Sequence, residues 1–460
     1  MSDGVNGLSS QINWKKLAFL FTGITLFSIT YYSPPWPDAI DPLGKHFELT
    51  REGKGALAVF LLAGTWWVFE VVPIGITSLA IGVLQALFLI RPAKVAFKDF
   101  MDPSVMFIFA SIVIGLVFTK TGLTRRLAYK MLAIVGERTS MIYLGCFVVT
   151  SALTHIMAHT AVAATIYPLL LLIVKPLKAY LTSNRPFLGI CLGLQALFLI
   201  RPDKVAIKDF MDPSVMVNFA SKGIGLVLKK TIPGLRERAK LLYSELGPLS
   251  RNEILASAIV FACILTMALR SFVPALQPVD KTAIILISTI MFFLTGILDI
   301  DDLESIPWNI ILLFAGAMSI GFCLWETGAA KWLAVNWLVM FKEANWFVFT
   351  MSIAFFVMIM TNFIMNVAAI AISLPVAFVI APYLGVAAEV ILFAALVTAG
   401  MPFLLLVGAA PNAIAYDSKQ FTPGEFFLYG IPASLILMVV VGFAVYLLWP
   451  LMGMPVTLPQ

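Results

Sequence analysis

The sequence predicts an all-α polytopic membrane protein with about eleven transmembrane helices and two re-entrant hairpins, arranged as two inverted repeats. Of its 460 residues, 60% are apolar and 12% are charged, and the mean hydropathy is +0.96. A soluble domain carries about twice that charged fraction. Many apolar runs of roughly 18 to 20 residues are long enough to cross about 30 Å of hydrocarbon as a helix. Because lipid offers the backbone no hydrogen-bond partners, we expect these runs to be helical.

Two pairs of motifs recur at almost the same spacing, which indicates an ancient internal duplication. His159 and Asn366 lie 207 residues apart, each inside an apolar segment and each followed nine positions later by a proline. The sequences Lys120-Thr-Gly-Leu and Glu326-Thr-Gly-Ala lie 206 residues apart. A two-fold repeat in an apolar chain is typical of secondary transporters.

The repeats are predicted to be residues 1–253 and 254–460. Each contains a long apolar segment, 140–174 or 347–382, with polar residues at its centre instead of a loop between two crossings. We expect these segments to be re-entrant hairpins whose tips stay inside the protein. An amphipathic basic stretch is predicted at 120–138. Transmembrane helices are predicted near 17–33, 56–70, 72–90, 103–119, 187–200, 213–228, 254–270, 282–298, 308–325, 387–406 and 425–449.

The distribution of Lys and Arg favours a cytoplasmic N-terminus, because the cytoplasmic segments then hold more basic residues than the outer segments. The first hairpin would enter from the cytoplasm and the second from outside. Repeats with an odd number of crossings have to be inverted relative to each other. The cytoplasmic loops also explain the net charge of +6, and nothing in the sequence indicates nucleic acid binding.

A second internal similarity differs from the ancient duplication. Residues 84–120 and 194–230 are identical at 29 of 37 positions, at an offset of 110 residues. Such high identity indicates either a recent duplication or an error in the sequence itself, and both interpretations stay open.

Polar side chains near the two hairpin tips are candidates for function, since a polar residue inside a membrane is costly. His159 is the first candidate, and the alternative is a neutral histidine that bridges helices. Hydroxyl and amide groups near the tips could bind anions beside the positive ends of helix dipoles, or could only bridge helices. These groups belong to Thr154, Thr160, Thr361, Asn362 and Asn366.

Residues 408–413, Gly-Ala-Ala-Pro-Asn-Ala, interrupt another apolar run. A proline there would free a backbone carbonyl and make an unwound point for a cation or substrate, and a simple proline kink is the alternative. The acidic residues 299–304 are predicted to form a solvated loop. The four scattered cysteines, and the lack of a nucleophile–base pair, phosphate loop or metal-ligand spacing in the sequence, predict no metal site, cofactor or enzymatic activity.

The motifs of residues 15–450 resemble those of the divalent-anion/sodium symporter family, which includes di- and tricarboxylate carriers. The resemblance implies a homodimer of eleven-helix protomers in the cell membrane, working by an elevator-type movement. The carrying motifs are Glu70-Val-Val-Pro73, the run from Phe100 through Pro103 to Lys120-Thr-Gly-Leu, the two hairpin tips, Ala410-Pro411-Asn412-Ala413-Ile414 and the stretch that begins at Phe421-Thr-Pro-Gly-Glu.

The resemblance also implies which residues bind the transported species. The substrate site would comprise Ala158, His159, Thr160, Met365, Asn366, Val367, Ala409, Ala410, Pro411 and Asn412. A cation site, or a charge that replaces the cation, would comprise Thr154, His159, Thr361, Asn366 and Gly408.

The hairpin tips depart from the Ser-Asn-Thr pattern of the family. In the first tip His159 replaces a sodium-binding asparagine, and a nitrogen ligand suits a hard cation poorly. We therefore expect a sodium-independent exchanger of dicarboxylates with four or five carbons, in which a protonated His159 replaces the cation. A sodium-coupled di- or tricarboxylate symporter is the first alternative, and sodium would bind only in that case. An inorganic-anion permease or channel is the second. A membrane scaffold without transport would leave the polar tips unexplained.

Overall fold

The computed structural model describes residues 14–135 and 234–458, with gaps at 42–43, 271, 365 and 418–420, and also residues 137 and 141. Almost all of the first predicted hairpin lies outside the described residues, including Thr154, Ala158, His159 and Thr160. The predicted helices at 187–200 and 213–228 and the near-copy at 194–230 also lie outside them.

The described chain is predominantly helical, which confirms the all-α prediction. It also contains one short antiparallel hairpin, β1 (Ala39–Ile40) and β2 (His46–Phe47), that the sequence did not predict. The helices are α1 (Trp14–Tyr32), α2 (Arg51–Val68), α3 (Ile74–Leu87), α4 (Ala93–Lys98), α5 (Pro103–Thr121), α6 (Leu123–Val135), α7 (Leu235–Glu245), α8 (Arg251–Leu269), α9 (Lys281–Leu294), α10 (Ile300–Glu304), α11 (Trp308–Glu326), α12 (Ala329–Val339), α13 (Trp346–Met360), α14 (Asn366–Ile380), α15 (Ala388–Ala399), α16 (Ala410–Asp417), α17 (Pro423–Phe443) and α18 (Trp449–Leu451).

Several helices are shorter than the apolar runs that predicted them. Among the described residues, four helical stretches are long and apolar enough to cross a membrane: Ala93–Thr121, Arg251–Leu269, Trp308–Glu326 and Pro423–Leu451. Helices α3 and α9 have 14 residues each, about 21 Å at 1.5 Å per residue. Helix α9 stops just before Gly296, whose φ of 70° is the left-handed conformation that commonly ends helices.

One predicted loop contains a helix, and a second helix lies in a stretch for which no prediction was made. The acidic residues near 300 form α10 rather than a loop, because Asp299 and Asp302 cap it reciprocally: each carboxylate accepts a hydrogen bond from the backbone N–H of the other residue. Helix α12 occupies part of the stretch between the predicted span at 308–325 and the second hairpin.

Contacts within the chain divide it into two compact units. The first comprises residues 1–101, 312–409 and 422–460, and the second comprises residues 102–311 and 410–421. Each unit contains residues from both predicted repeats, so the repeat boundary at 253 stays a prediction.

The first unit contains a buried ionic cluster around Arg91. Its guanidinium donates from Nη1 to Asp99 Oδ2 at 2.7 Å and from Nε to Glu326 Oε2 at 2.8 Å. Gln85 Oε1 also accepts from Nη1 at 3.2 Å, and Gln85 Nε2 donates to Ser319 Oγ at 2.9 Å. The cluster joins α3 and the residues after α4 to α11, because Glu326 and Ser319 lie on α11.

The second unit contains a corresponding ionic cluster around Lys120, at the end of α5. Its ammonium group donates to Asp299 Oδ2 at 3.0 Å and also to Asp302. The hydrogen bond from Lys120 lowers the pKa of the Asp299 carboxyl. In the same unit, Arg126 of α6 donates from Nε to Glu253 Oε1 at 2.8 Å, which joins α6 to the first turn of α8.

The Lys120 and Glu326 motifs adopt the same local structure. Thr121 and Thr327 each donate a hydroxyl proton to the carbonyl four residues earlier, at 2.8 and 2.7 Å. Gly122 and Gly328 follow with φ of 91° and 73°, and a new helix begins immediately after each. Each long helix thus ends in a charged residue bound to a segment of the other predicted repeat, but the signs of the charges are reversed.

Replacement of Arg91 by methionine is expected to destabilise the protein strongly. The change leaves the Asp99 carboxylate buried without its cation, and breaking a buried ion pair costs about 3–5 kcal/mol. Thermal unfolding of the purified protein in detergent measures the loss. Lys94→Met is the matched control, because it removes a positive charge from an exposed position on α4. Equal melting temperatures for the two variants would contradict this role for Arg91.

Candidate functional site

The second predicted hairpin is centred on a break between two helices. Helix α13 ends at Met360, residues 361–364 form a turn, and Asn366 begins α14. Thr361 and Asn362 in the turn are completely buried, at 0% exposure. Threonine and asparagine side chains compete with the helical backbone for hydrogen bonds, so this pair is suited to ending α13 inside the protein.

Thr361 and Asn366 are brought together across this turn, together with a backbone carbonyl that the sequence did not suggest. The Thr361 hydroxyl oxygen lies 2.7 Å from Asn366 Oδ1 and 2.7 Å from the Ala399 carbonyl oxygen. A hydroxyl has one proton and can donate to only one of them. If it donates to Ala399, the Asn366 amide can turn its NH₂ group towards Thr361. Its carbonyl oxygen is then free for a ligand.

Residues 400–409 form a non-α-helical segment between α15 and α16, here named the unwound segment. It includes one 3₁₀ turn, Leu406–Gly408. The predicted helix at 387–406 is therefore wrong in its second half, since α15 ends at Ala399. The predicted interruption at 408–413 also begins too late. Pro411 is the second residue of α16, a position where its missing N–H leaves no helical hydrogen bond unmade.

The Asn362 side chain fastens the unwound segment to the hairpin turn. Its Oδ1 accepts from the backbone N–H groups of Leu404 at 2.8 Å and Leu405 at 3.0 Å. Its Nδ2 donates to the carbonyl of Met358 at 2.7 Å. Gly408 lies against the same residue, because a Cβ at Gly408 would be 3.1 Å from Asn362 Cα.

A second glycine, on α17, allows close packing against the unwound segment. A Cβ at Gly430 of α17 would lie 2.1 Å from the carbonyl oxygen of Phe403, closer than any real Cβ contact. The absence of a side chain at Gly430 thus lets two backbones approach closely. The sequence contains only a weak signal for this contact, a glycine two residues before Pro432 in an apolar helix.

The other predicted site residues are distributed as follows. Ala409 ends the unwound segment, in the first compact unit. Ala410, Pro411 and Asn412 begin α16, in the second unit, and Asn412 is half-buried there. The backbone of Val367 lies in the first turn of α14. Met365 lies outside the described residues, as do Thr154, Ala158, His159 and Thr160.

Comparison with known proteins identifies the family. A family model described as a citrate transporter matches residues 65–399 and 272–453. The chain belongs to the citrate transporter family. It is therefore a transport protein and not an enzyme, and its apolar helices make it a multi-pass protein of the cell membrane.

Similar proteins from two staphylococci bear the same name, sodium-dependent dicarboxylate transporter SdcS. The one from Staphylococcus saprophyticus is 23% identical over 464 residues, covering 89% of both chains. The one from Staphylococcus aureus strain RF122 is 24% identical over 465 residues, covering 90% of this chain and 89% of its own. These similarities confirm the resemblance to divalent-anion/sodium symporters. They favour the sodium-coupled alternative over the sodium-independent exchanger expected from His159.

Replacement of Gly430 by alanine is expected to displace the unwound segment and to destabilise the transporter. Forcing a methyl group into a packed site costs typically about 1–3 kcal/mol, and the obstructing atom here is a backbone oxygen. Gly442→Ala on the same helix is the control, because its Cβ would meet side chains at an ordinary 3.6 Å. The melting temperature and the transport rate should fall for Gly430→Ala alone. Equal values for the two variants would contradict the close approach of the backbone at Gly430 to Phe403.

Proposed function

We propose that this transporter is a sodium-coupled symporter of dicarboxylates. Family membership and the names of the relatives support sodium-dependent dicarboxylate transport. The observation that carries the proposal for this chain is the oxygen cluster of Thr361, Asn366 and Ala399. Hard cations prefer oxygen ligands, and each of these three groups presents an oxygen.

Sodium would bind at this cluster by accepting lone pairs from the three oxygens, while the Thr361 hydroxyl keeps its proton and turns it away from the cation. With Asn366 Oδ1 facing Thr361, the two 2.7 Å contacts hold the three oxygens close together, and a single proton can satisfy only one contact. The site is buried, so a bound cation would have little competition from water. The cation would in turn hold the N-terminal end of α14 against the C-terminal end of α15.

A carboxylate of the substrate would bind beside the N-terminus of α14. The first N–H groups of a helix have no partner within the helix, and together with the positive end of the helix dipole they attract anions. Asn366, the first residue of this 15-residue helix, then serves both the cation and the anion. Such sharing would couple the two, since the positive charge of sodium favours the carboxylate. The remaining residues of the predicted substrate site stay predictions.

The exchanger is the second candidate, and His159 is the feature that favours it. A protonated imidazole in the first tip would supply a permanent positive charge, and sodium would not be needed. The described oxygen cluster in the second tip favours the symporter instead, as do the names of the relatives. An elevator-type movement and a homodimer are further parts of the proposal that follow from the family resemblance.

Uptake of labelled succinate into proteoliposomes separates the two candidates. We expect a symporter to accumulate succinate in vesicles without internal dicarboxylate, and to require external sodium that potassium does not replace. The experiment crosses sodium or potassium outside with the presence or absence of unlabelled dicarboxylate inside. Uptake that ignores sodium and requires internal dicarboxylate would establish exchange and overturn the proposal.

Replacement of Thr361 by valine tests the oxygen cluster. The loss of one oxygen ligand is expected to raise the sodium concentration for half-maximal uptake about tenfold, the factor that corresponds to 1.4 kcal/mol. Thr350→Val is the matched control, because Thr350 is also buried in this hairpin but donates to Trp346 in its own helix. Thr361→Ser keeps the hydroxyl and should behave like the wild type. An unchanged sodium dependence in Thr361→Val would exclude this hydroxyl as a ligand.

A further inference from the structure

We propose that Asn362 is a positioning residue that holds the unwound segment against the second hairpin tip and thereby keeps the Ala399 carbonyl at the oxygen cluster. The inference rests on the proposed function, because it concerns the geometry of the same oxygen cluster. Asn362 itself touches neither sodium nor substrate in this proposal, and it acts through the backbone of residues 399–405.

The hydrogen bonds of Asn362 are directed entirely at the backbone. Its amide oxygen accepts from two consecutive N–H groups, at Leu404 and Leu405, and its amide nitrogen donates to the Met358 carbonyl. The side chain is completely buried. A buried N–H without a partner is costly, so the two N–H groups hold the unwound segment to this oxygen.

Two further contacts fix the unwound segment on either side of this hydrogen-bonded point. At its start, the Ala399 carbonyl lies 2.7 Å from the Thr361 hydroxyl. Towards its end, Gly408 packs against Asn362 and against Pro402. Adjacent residues of the turn, Thr361 and Asn362, therefore hold successive points of the segment.

This arrangement has a consequence for ion binding. The Ala399 carbonyl can serve the oxygen cluster only while the chain that follows it is held close to the turn. Without the Asn362 oxygen, Leu404 and Leu405 would have to find other acceptors, and the segment would shift relative to Thr361. Loss of Asn362 should thus weaken sodium binding even though no ligand atom has been removed.

The experiment compares wild type with Asn362→Ala, Asn362→Asp and Ser373→Ala in lipid nanodiscs and proteoliposomes. Asp keeps an oxygen for both N–H groups and lacks the amide donor. Ser373→Ala is the control, since this buried serine on α14 donates only to Ala369 of its own helix. Hydrogen–deuterium exchange of peptides covering 400–409 measures directly how strongly the Leu404 and Leu405 amides are held by Asn362. The sodium and succinate concentrations for half-maximal uptake measure its effect on the site.

For Asn362→Ala we expect the amide hydrogen exchange of Leu404 and Leu405 to become about tenfold faster or more, as for other buried amides that lose their acceptor. The half-maximal sodium concentration should rise by a similar factor. Asn362→Asp should keep slow amide hydrogen exchange at these two residues, and Ser373→Ala should match the wild type. A residue needed only for stability would lower the amount of folded protein and the maximal rate, with unchanged half-maximal concentrations.

Unchanged exchange at Leu404 and Leu405 in Asn362→Ala would overturn the proposal. If that variant does not fold, a folded Asn362→Asp protein that exchanges rapidly at these residues would overturn it equally. Failure of the proposed function is a separate result: the wild type would then show no sodium-dependent succinate uptake, while the exchange data would still decide whether Asn362 holds the segment.

Discussion

Satisfaction of backbone hydrogen bonds away from water is the constraint on which the structure around the second hairpin depends. An α-helix pairs its own N–H and C=O groups, but residues 400–409 leave the α-helix and give up those partners. The Asn362 amide replaces some of them, and the Thr361 hydroxyl lies at the last carbonyl of α15. The polar turn and the unwound segment therefore depend on each other, since each would leave unpaired groups buried without the other.

The same arrangement explains why small residues surround the unwound segment. A neighbouring helix can pack directly against a backbone only where it has a glycine or a small side chain. Gly430 on α17 provides this space for Phe403, and within the segment Gly408 lacks a side chain that would collide with Pro402. Non-helical backbone at a binding site inside a membrane protein thus requires glycines in the adjacent helices as well as polar side chains at the site.

The sequence was sufficient to predict the long apolar helices and the polar turn, but not the contacts between them. Apolar runs predicted α1, α2, α5, α8, α11 and α17 because lipid leaves the backbone few alternatives to a helix. Helix ends were less predictable, since α15 ends at Ala399 inside an apolar run that continues past residue 406. The partners of Asn362 were not predictable, because they lie 42 and 43 residues away and are N–H groups that nearly every residue carries. The roles of Lys120 and Glu326 likewise depend on residues 179 to 235 positions distant.

The reversed charges at the ends of α5 and α11 have a consequence for which segments of the chain each helix end can contact. Both helix ends have the same threonine and glycine in the same local structure, so their shapes do not distinguish them. Their charges do. A misassembled chain that exchanged the two loops would bring Glu326 against Asp299 and Asp302, and Lys120 against Arg91, and both encounters are repulsive. The two ionic clusters thus favour the native contacts of each helix end over the exchanged ones.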